Sequence, residues 1–226
     1  MKKCFSILMS VVLISTLALP CSANAYDSQN LDAHTFAETE IQETLATVME
    51  DVYRQLEEQD ALVLLDTYEQ ILTAEIESSI LAKYGLTSAS RASLNMPNGG
   101  VVTYLSPVAD YEPTEVYSVY LERQRTLDYI LNMYSFHIED IIIEILGFIP
   151  FVDDITSHIL DISSYADRAA ITSINAAGGY THIINTYSRE FGTSASVVTG
   201  WDAHPVVTTP NNAMEVQYRL FPAYTE

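Results

Sequence analysis

The chain has 226 residues, with 30 acidic against 10 basic side chains and a formal net charge of −20. That balance argues against nucleic acid and anionic membrane surfaces as partners, because both demand clustered Lys and Arg. Hydrophobic residues make up 48% of the chain, which separates it from disordered acidic tails and allows a packed core.

The first element is "MKKCFSILMSVVLISTLALPCSANA", residues 1–25. Lys2 and Lys3 precede an apolar run from Phe5 to Leu19, and Ala23-Asn24-Ala25 fits a small-x-small cleavage site. The pattern predicts a secretory signal peptide cut after Ala25, leaving residues 26–226 as a single exported domain. Both cysteines, Cys4 and Cys21, fall inside this leader, so the mature chain has neither disulfides nor thiolate chemistry. Pro20 stands where a lipobox would place a small residue ahead of Cys21.

Tyr26 to Ala33 reads as a loose leader into the domain, and Thr35 with Glu38 matches a capping box that opens a helix. Apolar residues then recur at Ile41, Leu45, Val48, Met49, Val52 and Leu56, which is helical spacing. A second series runs from Leu62 through Leu65, Tyr68, Ile71, Leu72 and Ile76 to Ile80, with Gly85 as a left-handed cap. The intervening "EEQD" lacks Gly and Pro, so one long helix and a hairpin both fit, and a break near Asp60 is preferred. Residues 86–113 read as a long irregular connection with a turn at Pro97 to Gly100 and a short strand at Val101 to Leu105.

Thr114 follows Pro113, and the apolar positions from Val116 and Tyr120 to Ile145 predict a long helix over 114–146. A further helix is expected from Asp153 or Asp154 to about Ala177, closed by Gly178 and Gly179. From Tyr180 the period shortens towards two: "YTHIINTY", "SASVVTG", "PVVTT" and "MEVQYRLF" are β-type runs separated by turns. The expected fold is α+β: a bundle of three or four amphipathic helices, at least one of them long, followed by a small C-terminal antiparallel β-sheet.

Two constellations carry candidate chemistry. Asp154, His158 and Asp161, with Tyr165 and Arg168, share the polar stripe of one predicted helix, within an arc of roughly 80°. The i, i+4 pair could chelate a divalent cation, which would be the only cofactor, whereas Asp161 lies about 10 Å along the axis from Asp154. The same residues also describe an ordinary solvated helix face with acids near its N-terminus. The second is the turn containing Trp201, Asp202 and His204, where an aromatic beside polar groups could anchor a partner; sheet-edge cover by Trp201 and turn geometry from Gly200, Asp202 and Pro205 are the simpler account. Ser194 or Ser196 with Asp202 and His204 lacks the Gly-x-Ser-x-Gly elbow of a serine hydrolase.

No catalytic or cofactor signature emerges, so the expected activity is exported, non-enzymatic binding of an unknown protein or cationic ligand. Nucleic acid is not an expected partner, nor is stable membrane association after leader cleavage. Two alternatives accompany this reading: a membrane-active or toxin-like protein using the apolar segment 141–152, and a metal-dependent hydrolase centred on Asp154 and His158. Besides the Trp201 turn, the segment Asn98 to Tyr104 is an expected contact surface.

Overall fold

The computed structural model describes residues 25–86, 93–107, 111–134 and 179–223. The leader, the apolar segment 141–152 and the stripe carrying Asp154, His158 and Asp161 lie outside the described residues. Among the described residues no helix is long and apolar enough to cross a membrane.

Helix α1 (Ala25–Glu58) spans 34 residues, about 50 Å at 1.5 Å per residue. It starts well before the capping box predicted at Thr35, because Tyr26 to Ala33 contains no Gly or Pro to stop helix propagation. Ala37, Ile41, Val52 and Leu56 are its buried stripe, spaced as helical periodicity requires. At its end Asp60 turns left-handed (φ +54°), the Ala61 N–H reaches the Leu56 carbonyl at 2.9 Å, and the Asp60 N–H meets the Glu57 carbonyl at 3.2 Å. This is the paired-bond pattern of a Schellman stop, so Asp60 closes the first helix rather than capping the second. A 3₁₀ turn (Leu62–Leu64) with no side-chain cap leads into α2 (Leu65–Lys83). Gly85 (φ +70°) ends α2 in the same way, with the Leu86 N–H on the Leu81 carbonyl at 2.7 Å.

The rest of the described chain is dominated by strands: β1 (Ser93–Asn95), β2 (Gly99–Ser106), β3 (Thr114–Leu121), β4 (Tyr180–Ser188), β5 (Thr193–Trp201), β6 (Val206–Thr208) and β7 (Met214–Leu220). Five form an antiparallel sheet in the order β5-β4-β3-β2-β7, and β1 pairs with β6 in a two-stranded ribbon. A third helix, α3 (Arg123–Tyr134), packs on β3 and β4.

This overturns the expected helical bundle with a small C-terminal sheet. The sheet is the main body, and it draws two inner strands from outside the expected C-terminal sheet: β2, around the short strand expected at Val101 to Leu105, and β3, from the segment read as helix. Thr114–Leu121 is the middle strand of the sheet, not the start of a long helix, and every residue in it is buried. A spacing of four, as between Val116 and Tyr120, satisfies both a helix turn and a two-residue strand period, so periodicity could not separate them. The decisive preference is chemical: Val, Tyr, Val and Tyr favour a pleated surface, and burial on both faces removes the polar alternation that marks a half-exposed strand. The short strand expected at Val101 to Leu105 is the centre of β2, and Asn98 to Tyr104, expected as a contact surface, is the turn into that strand and most of its length. Gly99 and Gly100 admit it there: a Cβ on Gly99 would collide with the Tyr120 carbonyl, and one on Gly100 with that of Arg219.

The helical hairpin covers one face of the sheet. Leu56, Leu64, Tyr68, Ile71 and Leu72 pack on Val102, Val116, Ile184, Val197 and their neighbours to form the main core. Each fully buried aliphatic or aromatic chain contributes about 1.5–3 kcal/mol relative to exposure. Docking is fixed by polar groups as well as by apolar area. The Gln55 amide donates to the Val198 carbonyl (3.0 Å) and accepts from the Val198 N–H (2.9 Å). One turn later Gln59 repeats the pairing with Ser196, at 2.7 and 2.9 Å. Two glutamines about 6 Å apart along a helix thus match two alternate residues about 6.8 Å apart along a strand. They occupy the outer edge of β5 as a neighbouring strand would. The Tyr68 hydroxyl completes the seam, donating towards the Ile184 (3.1 Å) and Ala195 (3.0 Å) carbonyls while accepting from Thr186 (3.1 Å).

Gln55→Ala should therefore lower stability by about 2–3 kcal/mol, because it strands a buried N–H and C=O on β5. Urea unfolding should show a lower midpoint at unchanged m. A midpoint equal to that of the wild type would show that α1 does not cap this edge.

Candidate functional site

The buried face of α2 carries one anomaly. Glu75 lies seven residues after Tyr68 and four after Ile71, on the apolar stripe, where helical spacing calls for a hydrophobe. Its side chain is 14% exposed and points at the sheet. There Oε2 comes within 2.8 Å of Nδ1 of His182, whose side chain is fully buried. The contact has ion-pair length without the alignment of a regular hydrogen bond, and Nε2 of His182 has no hydrogen-bond partner among the described residues. The pair is ionic when the imidazole is protonated.

The sheet presents His182 among aromatics. Its register partner on β3 is Tyr120, and the rings stack at 4.1 Å with 17° between planes. Trp201 meets Tyr120 edge-on at 5.3 Å and Tyr180 at 5.7 Å. Burial raises the Tyr120 and Tyr104 hydroxyls well above the ordinary phenol value, and the Glu75 carboxylate raises both further. Burial also raises Tyr68, and it pushes Tyr129 up to about 12.

Glu75 also lines a cleft of ≈ 530 Å³ between α1, α2 and the end of β5. Val48, Leu72, Ile76 and Ile80 give it apolar walls, while Glu40 and Asp202 join Glu75 as carboxylates. Lys83 is the counter-charge: Nζ lies 2.5 Å from Glu40, which also accepts from the Tyr84 hydroxyl at 2.8 Å. These two bonds hold the Glu40 carboxyl below the usual range. Asp202 accepts the Ser79 hydroxyl and the His204 N–H (2.9 Å). A second cleft, ≈ 370 Å³, lies beside β2, β3 and β7 and is lined by Glu112, Glu115 and Glu215; Arg189 sits 2.7 Å from Glu115, which also accepts from the Tyr117 hydroxyl at 3.0 Å.

The expected Trp201, Asp202 and His204 cluster is therefore divided. Trp201 is 7% exposed and faces the aromatic core, since it occupies the last β5 position on the helix-covered side. Asp202 and His204 lie past the strand end and line the cleft. Ser196 is held mid-strand on β5 opposite Asn185, about 20 Å along the chain from Asp202 in extended geometry. The serine that does meet Asp202 is Ser79, and it donates to a carboxylate rather than to an imidazole, so it is no activated nucleophile. Among the described residues no three His, Cys, Asp or Glu side chains converge to hold a metal ion. Sequence reading passed over Glu75 and His182, although both carried a signal: each is a titratable residue in phase with apolar neighbours.

The chain was compared with family models, with curated proteins and with solved structures, and it matches none.

The buried phenols set an alkaline limit. Their folded-state pKa values lie above the ordinary 10.0, so the stability gained from burying them is fully present below pH 10. It is lost as pH rises from 10 towards the raised values. Ionisation of the buried phenols and loss of circular dichroism should occur together in one steep transition above pH 10. Ionisation of the buried phenols with the fold retained would contradict this packing.

Proposed function

We propose that the protein is an exported, non-enzymatic binding protein that takes a small organic cation with an apolar body into the cleft between α1, α2 and the end of β5. The observation that carries this reading is the cleft's composition. Aliphatic walls enclose ≈ 530 Å³, three carboxylates line it, and Lys83 offsets only one of them. Ligand sites of this size are usually apolar surfaces with a few placed polar groups. A cationic head would sit towards Glu75 and Asp202, and its hydrocarbon part would lie against Leu72, Ile76 and Ile80. The high negative charge of the chain favours the approach of such a ligand.

Export rests on the Lys2–Lys3 leader and the Ala23-Asn24-Ala25 site. N-terminal sequencing of protein secreted by an expressing host should begin at Tyr26. A product that retains Met1 would remove this part of the reading.

Calorimetric titration with hexylamine, hexanol and hexanoate separates head-group from chain recognition. The amine should bind and the other two should not. Glu75→Gln and Asp202→Asn should each weaken it about tenfold, equivalent to about 1.4 kcal/mol. Hexanoate binding as well as hexylamine, or no heat with any of the three, would refute the assignment.

A further inference from the structure

The two edges of the five-stranded sheet are treated differently. Gln55 and Gln59 fill the outer edge of β5. The other edge, β7, has no strand beyond it among the described residues and is exposed along nearly its whole length. Met214, Tyr218 and Leu220 are 43, 56 and 45% exposed there. An accessible edge strand with large apolar side chains is a template for another strand.

Its sequence points to which strand. The Phe221 N–H bonds the Gly99 carbonyl, so by antiparallel alternation the odd-numbered residues Arg219 and Gln217 turn their backbone groups to β2. Val216, Tyr218 and Leu220 then direct theirs outward. Laid antiparallel on itself about Gln217, "MEVQYRL" is self-complementary. Val216 faces Tyr218 of the other copy, with their outward N–H and C=O groups paired, and the bulge brings the acid of Glu215 to the end of the pairing that carries Arg219 of the other copy. A two-fold axis generates both halves at once. The bulge at Glu215 (φ +52°), where the register slips between Thr103 and Leu105, ends regular pairing after a few residues and keeps the contact from propagating.

We infer that β7 is a homodimerisation edge that joins two copies of this chain through an antiparallel β7–β7 pairing about Gln217, making one continuous ten-stranded sheet. The interface is small, so association is a concentration-dependent equilibrium. This edge is separate from the ligand cleft and does not rest on the function proposed above.

Sedimentation equilibrium of the mature chain over a wide concentration range tests it. The wild type should rise from monomer towards dimer mass. Tyr218→Lys, at an exposed position, should remain monomeric at every concentration while keeping the wild-type melting temperature. Arg219→Glu and Glu215→Arg should each be monomeric alone, because like charges then meet, and should form a heterodimer when mixed. Should either charge variant fail to fold by circular dichroism, Tyr218→Lys decides alone. A wild type that stays monomeric throughout, a dimer indifferent to Tyr218→Lys, or folded charge variants that do not associate on mixing would each overturn the inference.

Discussion

The pairing of Gln55 and Gln59 with the outer edge of β5 is the constraint from which the rest of the arrangement follows. A helix normally meets a sheet on its face, through apolar area that leaves it free to slide. Here two amides, one helical turn apart, hold Val198 and Ser196 through four hydrogen bonds. Those bonds fix the height of α1 along β5, and the stop at Asp60 then fixes where α2 returns across the sheet. Tyr68 locks that return with contacts to β4 and β5 through one phenol oxygen. Buried polar bonds of this kind contribute only about 1 kcal/mol each in net terms, but they impose geometry that apolar packing does not.

Glu75 is placed by that lock. Once Tyr68 is seated, the residue two turns further along α2 must face the sheet. The opposing strand presents His182 at that height, stacked on Tyr120. A carboxylate on an apolar stripe would be strongly destabilising against hydrocarbon alone. It is tolerated because the imidazole lies within 2.8 Å and the other flank of Glu75 opens on the cleft. The same packing that buries the phenols of Tyr104 and Tyr120 sets them in the field of that carboxylate, which links the hydrogen-bonded core to the candidate binding surface.

The sheet edges express a complementary economy. Alternate backbone groups of an edge strand need a partner or water. The β5 edge, which leads into the cleft wall at Gly200 and Asp202, is closed by the protein's own helix. The β7 edge is left to solvent and marked by a bulge, with an acid and a base set four residues apart. Closing one edge internally leaves the other as the route by which this sheet could extend.

Elements with strong local chemistry were legible in the amino-acid sequence alone. The amphipathic stripes of α1 and α2, the break near Asp60, the Gly85 stop and the strand runs after Tyr180 all follow from side-chain spacing and turn residues acting over a few positions. What local chemistry could not reveal was which segments share a sheet. Thr114–Leu121 lies more than fifty residues before its partner β4, and its burial on both faces erases the alternation that would have marked it as a strand. Trp201 looked like a surface aromatic because its neighbours are turn-formers, yet its face is decided by register with Tyr180. Glu75 and His182 appear in the sequence as one acid among thirty and one histidine among five. Only long-range pairing of strands, and the seating of a helix upon them, brings those two to 2.8 Å and gives the cleft its charge.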